Sequence, residues 1–131
     1  MKKAPIVTFL KNQFPNLLAI YAFGSRIRGD AHAESDLDLA VLVGGYADPL
    51  KLWEFAGSLE DWVHCPVDLL DLRAASTVMQ YQIITLGERW WAYDLQAPLY
   101  EIMILREKTE LDEARGQQLK EIEQQGTVYG R

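Results

Sequence analysis

Cysteine, histidine and surplus positive charge are all scarce in this chain, and each shortage removes a class of function. Cys65 is the single cysteine, so no internal disulfide can form, and with only His32 and His64 available there is no Cys/His cluster at zinc-binding spacing. A reducing compartment is the simpler expectation. The 13 Lys and Arg are outnumbered by 19 Asp and Glu, giving a formal charge of −6, and the basic residues are scattered and form no run. That argues against a nucleic-acid polymer as partner, because holding a phosphate backbone depends on neutralising it with Lys and Arg. Long apolar runs are missing as well. No segment approaches the ~18 to 20 apolar residues of a membrane span. The cationic amino end is not followed by a signal-peptide core, since Lys11 and Asn12 interrupt it. These absences predict a soluble, cytoplasmic protein with no membrane partner.

What the chain does have is apolar substance. At 131 residues and 49% hydrophobic it can build one core, and a single domain over residues 1–131 is expected. Residues 5–14, with Ile6, Phe9, Leu10 and Phe14 near helical spacing, read as a short helix. Leu17 to Phe23 and Leu37 to Val43 are short apolar runs that each end at glycine, as buried strands do. Between them, residues 25–30 predict one helical turn and residues 31–35 a loop. Asp48-Pro49 reads as an N-cap followed by proline at the first helical position, opening a helix to about His64. A third strand is expected over residues 66–72, a helix over 74–86 stopped by Gly87, and a short edge strand over 89–94 carrying Trp90 and Trp91 on opposite faces. From residue 97 to about 125 the chain reads as one long charged helix, with Gly116 as a candidate break and its second half as a candidate docking segment. Strands alternating with helices predict an α/β (α+β) sandwich: a small mixed sheet with helices packed on one side.

The most informative feature is Gly24-Ser25 followed ten residues later by Asp36-Leu37-Asp38, with an apolar run on each side. Glycine lets a backbone approach a phosphate closely, and serine adds a hydroxyl and an N–H at the start of a helical turn, where anions are favoured. Residues two apart on a strand share a face, so Asp36 and Asp38 point together and repel each other unless a cation intervenes. A pair of Mg²⁺ ions would meet that demand. A third carboxylate is expected from the next strand, where Asp68 and Asp71 have opposite parity. Asp68 lies within the strand and is the candidate metal ligand and base; Asp71, near its end, reads as a turn or cap. Arg26 and Arg28 diverge on a helical turn; Arg26 is taken for phosphate and Arg28 for an acid such as Asp30 or Glu34. His32 and His64 read as bystanders and Cys65 as a buried filler.

Residues 22–30, reading Ala-Phe-Gly-Ser-Arg-Ile-Arg-Gly-Asp, then Ser-Asp-Leu-Asp-Leu at 35–39 and Val-Asp-Leu at 67–69, resemble the minimal nucleotidyltransferases of the DNA polymerase beta superfamily. Within that superfamily the size and pattern are similar to the antitoxins that pair with HEPN-domain toxins. The resemblance implies ATP and Mg²⁺ as co-substrate and cofactor, and transfer of AMP to a tyrosine of a cognate HEPN ribonuclease toxin. It maps phosphate binding onto Gly24 and Ser25, and metal binding and catalysis onto Asp36, Asp38 and Asp68. Two other functions fit the same residues: an antitoxin acting by occlusion alone, and a small-molecule transferase of the aminoglycoside-modifying type. The absence of room for an added acceptor domain argues against the latter.

Overall fold

A computed structural model describes residues 2–29 and 35–129, with side chains described as far as residue 124. The expected loop up to residue 34, and with it Asp30, His32 and Glu34, lies outside the described residues. In chain order the elements are α1 (Lys3–Gln13), β1 (Leu17–Phe23), α2 (Ser25–Arg28), β2 (Leu37–Val43), α3 (Pro49–Val63), β3 (Val67–Asp71), a 3₁₀ turn (Leu72–Ala74), α4 (Thr77–Leu86), β4 (Glu88–Ala92) and α5 (Gln96–Tyr129). The four strands form one sheet in the order β3-β2-β1-β4. β1 runs antiparallel to β2 and β4, while β2 and β3 are parallel, so the sheet is mixed as the sequence predicts.

Helices cover both faces of the sheet, which corrects the one-sided packing expected from sequence. In β2, Leu37, Leu39, Val41 and Val43 pack with Ile6 and Leu10 of α1 and Leu52, Ala56 and Leu59 of α3. The alternate residues Ala40 and Leu42 pack on the other face with Ile83 of α4 and Ala97 of α5. A strand apolar at both parities has no side to give to water, and burying each face needs its own helical layer. Truncating a fully buried member such as Ile83 to alanine is expected to cost about 2 to 5 kcal/mol.

Local signals fix most element ends. Asp48 caps α3, accepting from Leu50 N–H at 3.0 Å ahead of Pro49. His64, at φ 60°, ends that helix in the left-handed region, followed by the buried thiol of Cys65. Ser76 caps α4 through Met79 N–H at 3.2 Å. Gly116 does not break α5, which continues as one helix. The inward seam of α5 is Ala97, Tyr100 and Ile104. Leu99, Ile102, Leu119 and Ile122, expected along its apolar stripe, face solvent.

Trp90 and Trp91 do not point to opposite faces. The β1–β4 register shifts between Ile20, opposite Trp91, and Tyr21, opposite Arg89, and both indoles pack against the α1/α3 side. An extra residue in a strand breaks the alternation at that point. Lys3 and Lys11 lie over the two rings at 5.9 and 4.9 Å.

Candidate active site

The site forms where β1 ends and β2 begins, at the side of the sheet covered by α4. Phe23, the last residue of β1, is paired with Asp38 across the antiparallel ladder. Asp38 is in turn paired with Asp68 across the parallel ladder. Paired residues share a face, so the two carboxylates stand side by side on strands ~4.8 Å apart. Asp36 lies two residues before Asp38 and is exposed to solvent, as is Asp68; Asp38 is half-buried.

Gly24 is the residue that lets the turn close over these acids. Its φ of 82° is left-handed, and a Cβ placed on it would run into the Asp38 carboxylate. Ser25 then opens α2, whose first turn is closed by Ile27 N–H and Arg28 N–H donating to Gly24 O, each at 3.1 Å. Gly24, Ser25, Arg28 and Asp38 line one cavity of about 350 Å³, roofed by Met79, Gln82 and Leu86 of α4. The sequence did not single out these α4 residues, which are remote in the chain and carry no motif.

Asp30 and Glu34, the acids expected to pair with Arg28, lie outside the described residues. Arg26 Nε donates to Ser35 O at 2.9 Å, bracing the backbone that enters β2, and Arg26 is not among the residues lining the cavity. Arg28 is among them, and its positive charge acts on Asp38. A short helical turn separates residues two apart by more than a right angle; spacing alone did not say which would face the acids.

Electrostatics mark the same spot. Burial raises the Asp38 carboxyl above its ordinary value, the charges of Asp68 and Asp36 raise it further, and Arg28 opposes them. A carboxyl whose ionisation is opposed by burial and by two neighbouring carboxylates is a demand for a cation. Among the described residues, no three acidic, cysteine or histidine side chains are grouped tightly enough to cage a metal by themselves. Hard carboxylate oxygens that stop short of a cage suit Mg²⁺, which binds through one or two carboxylates together with substrate phosphates and water.

Asp71 is occupied differently. It is 6% exposed, and its carboxylate accepts from Ala47 N–H at 2.9 Å and Arg73 N–H at 3.0 Å. It is a structural cap, as its opposite parity to Asp68 predicts.

Comparison with known proteins finds relatives in both sequence and fold. The sequence profile of a family described as "Polymerase beta, Nucleotidyltransferase" matches residues 5–94. Over 97 residues the chain is 38% identical to the protein adenylyltransferase MntA of Shewanella oneidensis, a match covering 74% of this chain and 70% of that one. It is similar to a chain in the crystal structure of a toxin–antitoxin with AMP-PNP: TM-score 0.83, 32% identity, 93% of this chain and 98% of that one. It is also similar to a chain in the structure of a tri-AMPylated Shewanella oneidensis HEPN toxin in complex with MNT antitoxin, at TM-score 0.74 and 30% identity, covering 91% and 93%.

Proposed function

Because the chain belongs to the polymerase beta nucleotidyltransferase family, we propose that it is an antitoxin that transfers AMP from ATP to a tyrosine hydroxyl of a cognate HEPN ribonuclease toxin and thereby silences it. The observation that carries this reading is the junction of two features: the cavity of Gly24, Ser25 and Arg28, and the half-buried Asp38 at its wall, raised by its acidic neighbours. The cavity suits the triphosphate, and the carboxylates mark the α-phosphorus.

In the reaction an acceptor oxygen attacks the α-phosphorus, a new oxygen–phosphorus bond forms, and the bond to pyrophosphate breaks. Asp68, exposed beside Asp38, accepts the hydroxyl proton. Arg28 and the N–H groups opening α2 hold the phosphates in place. Asp36, Asp38 and Asp68 would hold Mg²⁺, which when bound supplies the positive charge that offsets the phosphates and the departing pyrophosphate. Catalysis then comes from positioning and charge neutralisation. We assign Arg28, in place of Arg26, to the phosphates.

We read residues 1–131 as one nucleotidyltransferase domain. Among the described residues no helix is long and apolar enough to cross a membrane. The cytoplasm, where ATP is plentiful and Cys65 stays reduced, is the compartment this function needs. Incubating the purified pair with labelled ATP tests the reading. Label incorporated into the toxin, and lost with Asp36→Asn, supports transfer; inhibition of the toxin without incorporation would replace it with occlusion.

A further inference from the structure

The sheet edge next to the carboxylates is built as a slot. β3 is an edge strand of the sheet, and a groove of about 810 Å³ runs along all five of its residues. α3 forms one wall with Leu52 and Trp53, while Ala75, Ser76 and Met79, leading into α4, form the other. Trp53 and Tyr46 line the groove while 75% and 72% exposed.

The direction of the main-chain groups of β3 follows from one hydrogen bond. Leu37 N–H donates to Pro66 O across the parallel pair, so residues 66, 68 and 70 turn their backbone groups toward β2, and residues 67, 69 and 71 turn theirs to the free edge. Val67 N–H accordingly meets Glu60 Oε1 at 2.9 Å. The edge-facing N–H and C=O of Leu69 have no hydrogen-bond partner among the described residues. Folded proteins cover or block such edges. Here Glu60 blocks one position, and the groove leaves the next one open.

We propose that an extended segment of the acceptor protein docks in this groove as a fifth strand, pairing its backbone with Leu69 and setting its hydroxyl-bearing side chain beside Asp68. The proposal rests on the transferase reading above. Continuity with the reacting carboxylates selects this occupant. Asp68 lines the groove, Asp38 lines the phosphate cavity, and Met79 lines both. The acids therefore separate the two spaces, and in-line displacement needs the attacking oxygen and the leaving pyrophosphate on opposite sides of phosphorus. Strand pairing supplies the alignment, because a residue opposite Asp68 extends the row of Asp38 and Asp68 by one more strand spacing of ~4.8 Å. Charge narrows the segment: the exposed Asp68 in the groove favours a neutral or basic peptide over an acidic one. The exposed Trp53 is the anchor such a peptide would cover.

Amide exchange on the isotope-labelled chain, with and without its toxin and AMP-PNP, tests this directly. Strand addition predicts that Leu69 N–H exchange slows at least about tenfold, while Asp68 and Leu70, already turned to β2, change little. Trp53→Ala is expected to raise the KM for the toxin about tenfold with AMP-PNP affinity kept. AMP transfer that proceeds with Leu69 exchange unchanged overturns the docking mode. So does Leu69 protection that appears in the isolated protein and grows with its concentration, which is self-pairing of β3 edges. Leu69 protected by the toxin without AMP transfer keeps the docking mode and overturns the transferase reading instead.

Discussion

Asp68 and Asp71 sit three residues apart on one strand and lead opposite lives. Asp71 is buried and saturated: two backbone N–H groups bond its carboxylate. Its neighbour Arg73 reaches Gly45 O at 2.9 Å and Val43 O at 3.2 Å. Nearby, Tyr100 donates to Gln80 at 2.6 Å, and Gln80 donates to Ala75 O at 2.7 Å. Asp68 is exposed and faces acids of its own sign. One carboxylate is satisfied by donors and the other is set against more negative charge, which fits the first to structure and the second to the metal and acceptor roles proposed above. Parity on a strand is what separates them.

Mutating each side should break the comparison in a different observable. Asp38→Asn is expected to lower AMP transfer on the order of 10³-fold, measured as labelled AMP on the toxin, with the urea midpoint unchanged or higher because a repulsion is relieved. Asp71→Ala should do the reverse: a loss of about 3 kcal/mol in urea unfolding, since hydrogen bonds to a buried charged group are at stake, with activity per folded molecule retained. Gly24→Ala places a methyl against Asp38 at a left-handed φ. It is expected to cost about 1 to 2 kcal/mol of stability and to weaken AMP-PNP binding, readable by calorimetry.

The effect of pH is smaller and has a definite sign. Burial and the neighbouring acids raise the folded-state pKa of Asp38, so without metal its contribution is intact below the unfolded value of about 3.9 and is lost as pH rises through the folded value. Wild type should lose ground to Asp38→Asn over that rise, in urea midpoints taken with a chelator present. Smallest is Tyr21→Phe. It removes the bond from Tyr21 to Glu101 at 2.8 Å while Arg89 still holds Glu101 at 2.6 Å, a cost of about 1 kcal/mol.

The strands, the Asp48-Pro49 cap and the Gly24-Ser25 turn were legible because each is a local matter of period, cap or glycine. The pairing of Asp38 with Asp68 was legible because two neighbouring strands with acids at matching parity leave few alternatives. What spacing could not give was direction. Helical cover on both faces was implied by the apolar parity of β2 yet read as one-sided. Which of Arg26 and Arg28 lines the cavity depends on how a four-residue helix is rotated, and the shared face of Trp90 and Trp91 depends on one inserted residue. Gly116 failed to stop α5 because a glycine costs only about 1 kcal/mol in a helix interior, too little to end a long helix.

The most direct trial of the carboxylate site is Mn²⁺ titration followed by electron paramagnetic resonance in the presence of AMP-PNP, comparing wild type with Asp38→Asn. Nucleotide-dependent Mn²⁺ binding in wild type that is lost in the variant is the predicted result. Equal binding in both proteins would contradict the assignment of Asp38 to the metal and nucleotide.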